Sequence, residues 1–214
     1  MKMKKIAVVL LSMSLAVGVV GCSSTASLPE GEVKIVNQEI QGIVELLLEA
    51  SDYGNDKSTV VSMVLSEDSQ YDINLYMEKY LGGELLETKE IANYTTGTIS
   101  KDSIIHMVLN TAKVNDGETE KSIFSIAEID SESTTDSSNP EYNVTKYYED
   151  AFDYDSKSQI SQLGTDLDKD ITLVALVKFN EDDSEKAPIN LDTYEDEVKN
   201  YSEATVIKAR VLKK

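Results

Sequence analysis

The rhythm of hydrophobic and polar positions changes along this chain, and each rhythm predicts a different kind of element. Between Val33 and Ala50 the apolar residues Val36, Ile40, Ile43, Val44 and Leu47 recur at the spacing of one helix face, with Glu39 and Glu45 opposite them. That period predicts a helix, ended by Asp52-Tyr53-Gly54-Asn55-Asp56. Downstream the period becomes two. Val60 to Leu65 is a short apolar run between polar clusters, as in a buried strand. From Tyr71 to Leu81, Ile73, Leu75 and Met77 alternate with Asn74, Tyr76 and Glu78, which predicts a strand with one buried face. Gly82-Gly83 can adopt the positive φ angles of a tight turn, so 71–81 and 84–91 are expected to pair as an antiparallel hairpin. Ile104 to Thr111 and Ser122 to Ile129 flank Asn115-Asp116-Gly117 and predict a second, looser hairpin.

Asp130 to Asn139 has no apolar residue and is closed by Pro140, the pattern of a solvated loop or a hinge. Ile171 to Phe179 is the most apolar stretch beyond the N-terminus and reads as a central strand. Asp192-Thr193-Tyr194-Glu195 resembles a capping box and predicts a short helix to about Tyr201; Thr205 to Leu212 alternates as a final strand. The expected fold is therefore mainly β: an antiparallel β-sandwich or barrel-like domain with one or two short helices. The alternative is an α+β domain with helices on one sheet face.

The N-terminus follows neither rhythm. Lys2, Lys4 and Lys5 precede an apolar run from Ile6 to Val20, which ends in Val19-Val20-Gly21-Cys22. A run of about fifteen residues, at ~1.5 Å each, falls short of a ~30 Å bilayer core but suits a secretory signal. Its closing residues resemble the lipobox of bacterial lipoproteins. The resemblance implies cleavage between Gly21 and Cys22, acylation of the Cys22 thiol, and residence on the extracytoplasmic face of a cell membrane. Cys22 is the only cysteine, so no disulfide competes for it. Ser23-Ser24-Thr25-Ala26-Ser27 has the composition of a flexible tether. The expected organisation is a signal peptide at 1–21, a lipidated tether at 22–32, and one mainly-β extracytoplasmic domain at 33–214.

Charge narrows the partners. The formal net charge of −19 becomes −22 once Lys2, Lys4 and Lys5 leave with the signal peptide. Such a surface repels nucleic acid and anionic lipid headgroups, so membrane attachment falls to the lipid on Cys22. A protein partner in the envelope is compatible with that charge. With no Trp and three Phe, the core is expected to draw on Val, Ile, Leu and some of the eleven Tyr.

The search for chemistry returns few candidates. There is no G-x-S-x-G or S-x-x-K motif, and the single histidine, His106, lies in Ile104-Ile105-His106-Met107-Val108, facing with Ile104 and Val108 if the segment is a strand. No base partner for it is visible in the sequence. One His and one lipid-committed Cys rule out a His/Cys zinc centre, and no cofactor is expected. Asp166-Leu167-Asp168-Lys169-Asp170 opens like an EF-hand loop, but Ile171 stands where the turn needs Gly and Val177 where it needs a bidentate Glu. The expectation is a solvated acidic turn. Weak divalent-cation binding there, or at Glu149, Asp150, Asp153 and Asp155, stays open.

Tyr142 to Asp155 holds five of the chain's fourteen aromatics, interleaved with acids. Tyr147, Tyr148, Phe152 and Tyr154 are candidates for a contact surface, since Tyr combines apolar area with a polar tip. The plainer reading is that the rings cover a sheet. A non-catalytic binding or protein-interaction module is the expected function; a carboxylate-based hydrolase and a structural envelope or stress protein are the alternatives. Finally, Ser158-Gln159-Ile160-Ser161-Gln162-Leu163-Gly164 with Leu173-Val174-Ala175-Leu176-Val177 resembles the C-terminal half of uncharacterised lipoproteins from Gram-positive bacteria. That resemblance implies a class and no particular activity.

Overall fold

Alternation of side chains is what the structure turns into two layers. The computed structural model describes residues 28–39, 45–46, 50, 57–101, 104–115, 120–129, 142–181 and 187–214. Their strands are β1 (Val33–Asn37), β2 (Ser58–Leu65), β3 (Tyr71–Leu81), β4 (Glu84–Thr95), β5 (Ile104–Asn115), β6 (Glu120–Ile129), β7 (Tyr142–Asp150), β8 (Ser156–Gln159), β9 (Gln162–Thr165), β10 (Asp170–Lys178) and β11 (Glu203–Lys213). One sheet runs β7-β6-β5-β2-β1-β9 and the other β4-β3-β11-β10-β8. Every strand pairing in both sheets is antiparallel. The sheets do not close into a barrel; they form a β-sandwich, the first of the two expected β architectures.

Both expected hairpins are present, β3 with β4 and β5 with β6. Gly82 and Gly83 take φ values of 55° and 87°, as a two-residue hairpin turn requires. Ile73, Leu75 and Met77 point inward and are fully buried, together with Ile105, Met107, Phe124, Ile126, Leu173 and Ile207.

The helix expected from Val33 is overturned at its start. Val33–Asn37 is strand β1, with Val33 and Ile35 buried and Lys34 between them. Those five residues fit both periods. The choice is made by β2 and β9, which pair with β1 on its two sides, so hydrogen bonds that a helix would keep local go to neighbours. Glu45, Leu46 and Ala50 are helical; the rest of 40–49, the expected stop at 52–56, Asp116-Gly117 and the expected loop at 130–139 lie outside the described residues.

Strands β7, β8 and β9 have no expected counterpart. β8 and β9 form nearly one strand that changes sheets at Ile160-Ser161, pairing first with β10 and then with β1. Such corner strands join the two layers of a sandwich. At the opposite side Lys89 of β4 holds Glu149 of β7 at 2.7 Å, and the Tyr147 hydroxyl donates to the Asn93 carbonyl at 2.9 Å.

On β9, Gly164 lies against the N-terminal segment: a Cβ there would stand 1.8 Å from the Glu30 carbonyl oxygen. Gly164→Ala is therefore expected to push residues 28–32 off β9 and cost about 1–3 kcal/mol, as overpacking does. A urea denaturation midpoint equal to that of the native protein would contradict this close approach.

One helical turn, Tyr194–Glu197, continues into a 3-10 turn at Val198–Asn200. The helix expected from the capping box is there, but its cap differs. The Glu197 carboxylate accepts from the Asn190 N–H at 3.1 Å and from the Thr193 hydroxyl. Among the described residues no helix is long and apolar enough to cross a membrane.

Candidate functional site

The strap from 187 to 201 crosses the outer face of the five-stranded sheet and buries a second apolar cluster. Ile189, Tyr194, Val198 and Tyr201 sit on Ala175, Val177, Ala204 and Val206. The last two belong to β11, whose next outward residue, Lys208, is charged yet only 6% exposed. A buried cation persists only when paired. Lys208 Nζ lies 3.0 Å from Glu78 Oε1 and 3.7 Å from Asp170 Oδ2, and donates to the Tyr194 hydroxyl at 2.9 Å. The Tyr76 and Tyr194 rings flank it, 5.6 and 5.4 Å from the ammonium. Arg210, the only arginine, reaches Asp170 Oδ1 through Nη2 at 2.5 Å and Nε at 2.7 Å.

Two tyrosines complete the array: the Tyr80 and Tyr194 hydroxyls both donate to Glu78 Oε2 at 2.8 Å. Burial, together with the Glu78 carboxylate, pushes both phenols well above their ordinary pKa. Burial and the Asp170 carboxylate do the same to Tyr76. For Asp170 itself burial opposes charge, but the Tyr76 hydroxyl and the Arg210 and Lys208 cations outweigh it and hold the carboxyl below its usual range. Two carboxylates and two cations thus balance on one sheet face. Alternation on β3, β10 and β11 places them there, because Tyr76 is registered with Lys208 and Asp170 with Arg210.

Beside this array lies an open groove of about 870 Å³, with Thr172, Asp170 and Lys208 along its sheet side. The strap from Pro188 to Asp196 borders it, as does the β8–β9 corner from Lys157 to Leu163. The Ser158 hydroxyl donates to the Ile189 carbonyl at 2.5 Å, tying corner to strap. The volume falls within the ~300–1,000 Å³ common for small-ligand sites, but polar groups dominate the lining. Nothing in the local sequence marks this region as a groove. Its one available signal was Lys208, a lone charge in the alternating apolar stretch at 204–209.

The aromatic candidates do not converge on one surface. Phe152 is buried, with its ring centroid 6.1 Å from that of Phe124. Tyr147 and Tyr154 pack against the same core, and the Tyr154 hydroxyl meets that of Thr111 at 2.8 Å. Tyr148 alone is turned outward, 63% exposed. The carboxylates of the same segment are also dispersed: Glu149 lies on Lys89, Asp150 on Lys121 and Asp153 on Lys113, while Asp155 accepts from the Phe179 N–H. Among the described residues no group of three or more His, Cys, Asp or Glu is placed to hold a metal ion. Gly21 and Cys22 lie outside the described residues.

His106 faces away from the buried Ile105 and Met107, as alternation requires. The structure adds a partner that the sequence did not reveal: Nδ1 is 2.8 Å from the Ser62 hydroxyl, directly across on β2. This pair does not amount to a nucleophile and base, since Ser62 is itself buried and the flanking backbone belongs to the β2–β5 ladder. Burial lowers the His106 pKa from the ordinary value near 6.5. The folded form therefore favours the neutral ring, and its contribution to stability is complete above pH 6.5 and lost as pH falls through the lowered value. The thermal midpoint is expected to drop between pH 7.5 and 5.5 in the native protein and to drop less in His106→Gln, a pair of curves measurable by calorimetry.

In comparisons with known proteins, the chain matches no family model, no curated protein and no solved structure.

Proposed function

We propose that this protein is a non-catalytic binding module, held on the extracytoplasmic face of a membrane by lipid on Cys22, with the groove beside Lys208 as its ligand site. The observation that carries the binding reading is the groove itself: open, polar, and walled by a strap that Ser158 and Glu78 tie to the sheet through Ile189 and Tyr194, and that Glu197 braces internally. A wall already ordered loses little entropy on binding. The charged groups on the groove's sheet side are committed to one another, Lys208 to Glu78 and Tyr194 and Asp170 to Arg210, and so serve the scaffold rather than attacking a substrate. The lipobox at Val19-Val20-Gly21-Cys22 supports the address, and the acidic surface leaves the anchor to the lipid.

Two measurements test the two halves. In cell fractionation, Cys22→Ser is expected to release the protein from the membrane fraction with its thermal midpoint unchanged; full retention would refute the anchor. A photoreactive residue in place of Gln162, at the mouth of the groove, is expected to give an envelope adduct that vanishes when Thr172→Trp fills the floor. Absence of any adduct would refute the binding reading.

A further inference from the structure

The outer face of the six-stranded sheet departs from the chemistry of the rest of the chain. Asp and Glu number 39 against 20 Lys and Arg. Yet the described outward positions of β5, β6 and β7, from Ile104 and Val144 up to Tyr148, carry no carboxylate, and their one charged side chain is Lys146. Tyr148, Val144 and Ile104 are 63%, 48% and 42% exposed, with Val108 and Ile123 half-buried among them. Apolar side chains gathered on an exposed face mark a contact surface. We propose that a second copy of this chain docks here, face to face, about a two-fold axis parallel to the strands.

Charge selects this occupant. Two chains of net charge −19 repel wherever carboxylates meet, and on this face none do. The register is also self-complementary. Lys146, Ser125 and Val108 share one row across β7, β6 and β5. In an isologous contact centred on β6, β7 of one copy lies over β5 of the other. Lys146 then falls on Val108 of the second copy, where its stem packs and its ammonium reaches out, while Ser125 meets its own counterpart. The same axis keeps both chain entries at one end, because Val33 is registered with Leu65 and the adjacent Val64 with Ile104. Two copies on one membrane can therefore meet without either leaving it, a step that rests on the anchor proposed above. Three strands ~4.8 Å apart offer about 300 Å² on each copy, short of the ~800 Å² usual for a stable free dimer. The contact accordingly depends on the high local concentration of chains held on one surface.

The test is cross-linking of the full-length protein in intact cells with a short bismaleimide. Ser125→Cys places a thiol at the centre of the face. The controls are the native protein, whose only thiol is Cys22, and Leu86→Cys, exposed on the other sheet. Ser125→Cys is expected to give a covalent dimer on a denaturing gel, well above both controls. Adding Tyr148→Glu is expected to cut the dimer about tenfold, since it brings an unpaired charge into a dry contact, and to leave the thermal midpoint unchanged. Val144→Asp, at a second exposed position, should act alike. Cross-linking of Ser125→Cys no greater than that of Leu86→Cys would overturn the proposal. So would an adduct with a different protein, or a dimer indifferent to both acidic substitutions. Membrane retention is read separately by fractionation, so failure of the anchor and failure of the contact are told apart.

Discussion

Lys208→Met is expected to cost about 3–5 kcal/mol, the penalty for removing one partner from a buried ion pair. For a domain of this size that is a fall of roughly 6–20 °C in thermal midpoint. Methionine fills similar space, so the loss is electrostatic: Glu78 stays beneath the strap without its cation, and the Tyr194 hydroxyl loses its donor. The effect should not be confined to β11, because Tyr194 is what fastens the strap to the sheet. A second substitution distinguishes this account from simple loss of packing. Adding Glu78→Leu to Lys208→Met removes the stranded carboxylate and should recover part of the stability. If the double variant is no more stable than Lys208→Met alone, the charge-pair explanation fails.

The second large effect concerns the aromatic segment. Phe152→Ala is expected to cost about 3 kcal/mol, since its ring is 7% exposed and packs on Phe124 in the main core. Tyr148→Ala, at an outward position of the preceding strand, is expected to change stability by no more than about 0.5 kcal/mol. Urea denaturation of the two variants side by side gives the comparison. Equal losses would mean that the segment lies on the molecule differently from the packing described.

That contrast also shows how much was legible in the residues. In β3, strict alternation of Ile73, Leu75 and Met77 with polar neighbours predicted both the strand and its buried face. Gly82-Gly83 located the turn, and the apolar run at 171–179 located a central strand. These succeed because a two-residue period and a positive φ are local properties that one segment carries alone. β1 was misread because five residues are too few to separate a period of two from 3.6. The strand β7 was overlooked because its tyrosines and acids occupy both faces, and β8 and β9 because neither has a hydrophobic rhythm.

The candidate site was almost invisible for a related reason. Its members, Glu78, Asp170, Asn190, Tyr194 and Lys208, come from β3, β10, the strap and β11, separated by as many as 130 residues. Read singly, Glu78 is the polar side of a strand and Lys208 an interruption in an apolar one. The buried pairing between them exists only because β3 and β11 are neighbours in the sheet and the strap excludes water above them. His106 and Ser62 make the same point, 44 residues apart and directly opposed across β2 and β5.

From the sequence by itself come the predominance of β-structure, the two hairpins and the inward faces of their strands, because each depends on neighbours within a few positions. The tertiary structure alone decided which strands lie side by side, the change of sheets at Ile160-Ser161, the burial of Lys208 and the groove beside it. Those follow from contacts between distant segments. Burial is a property of what covers a residue, and no local pattern records what will cover it.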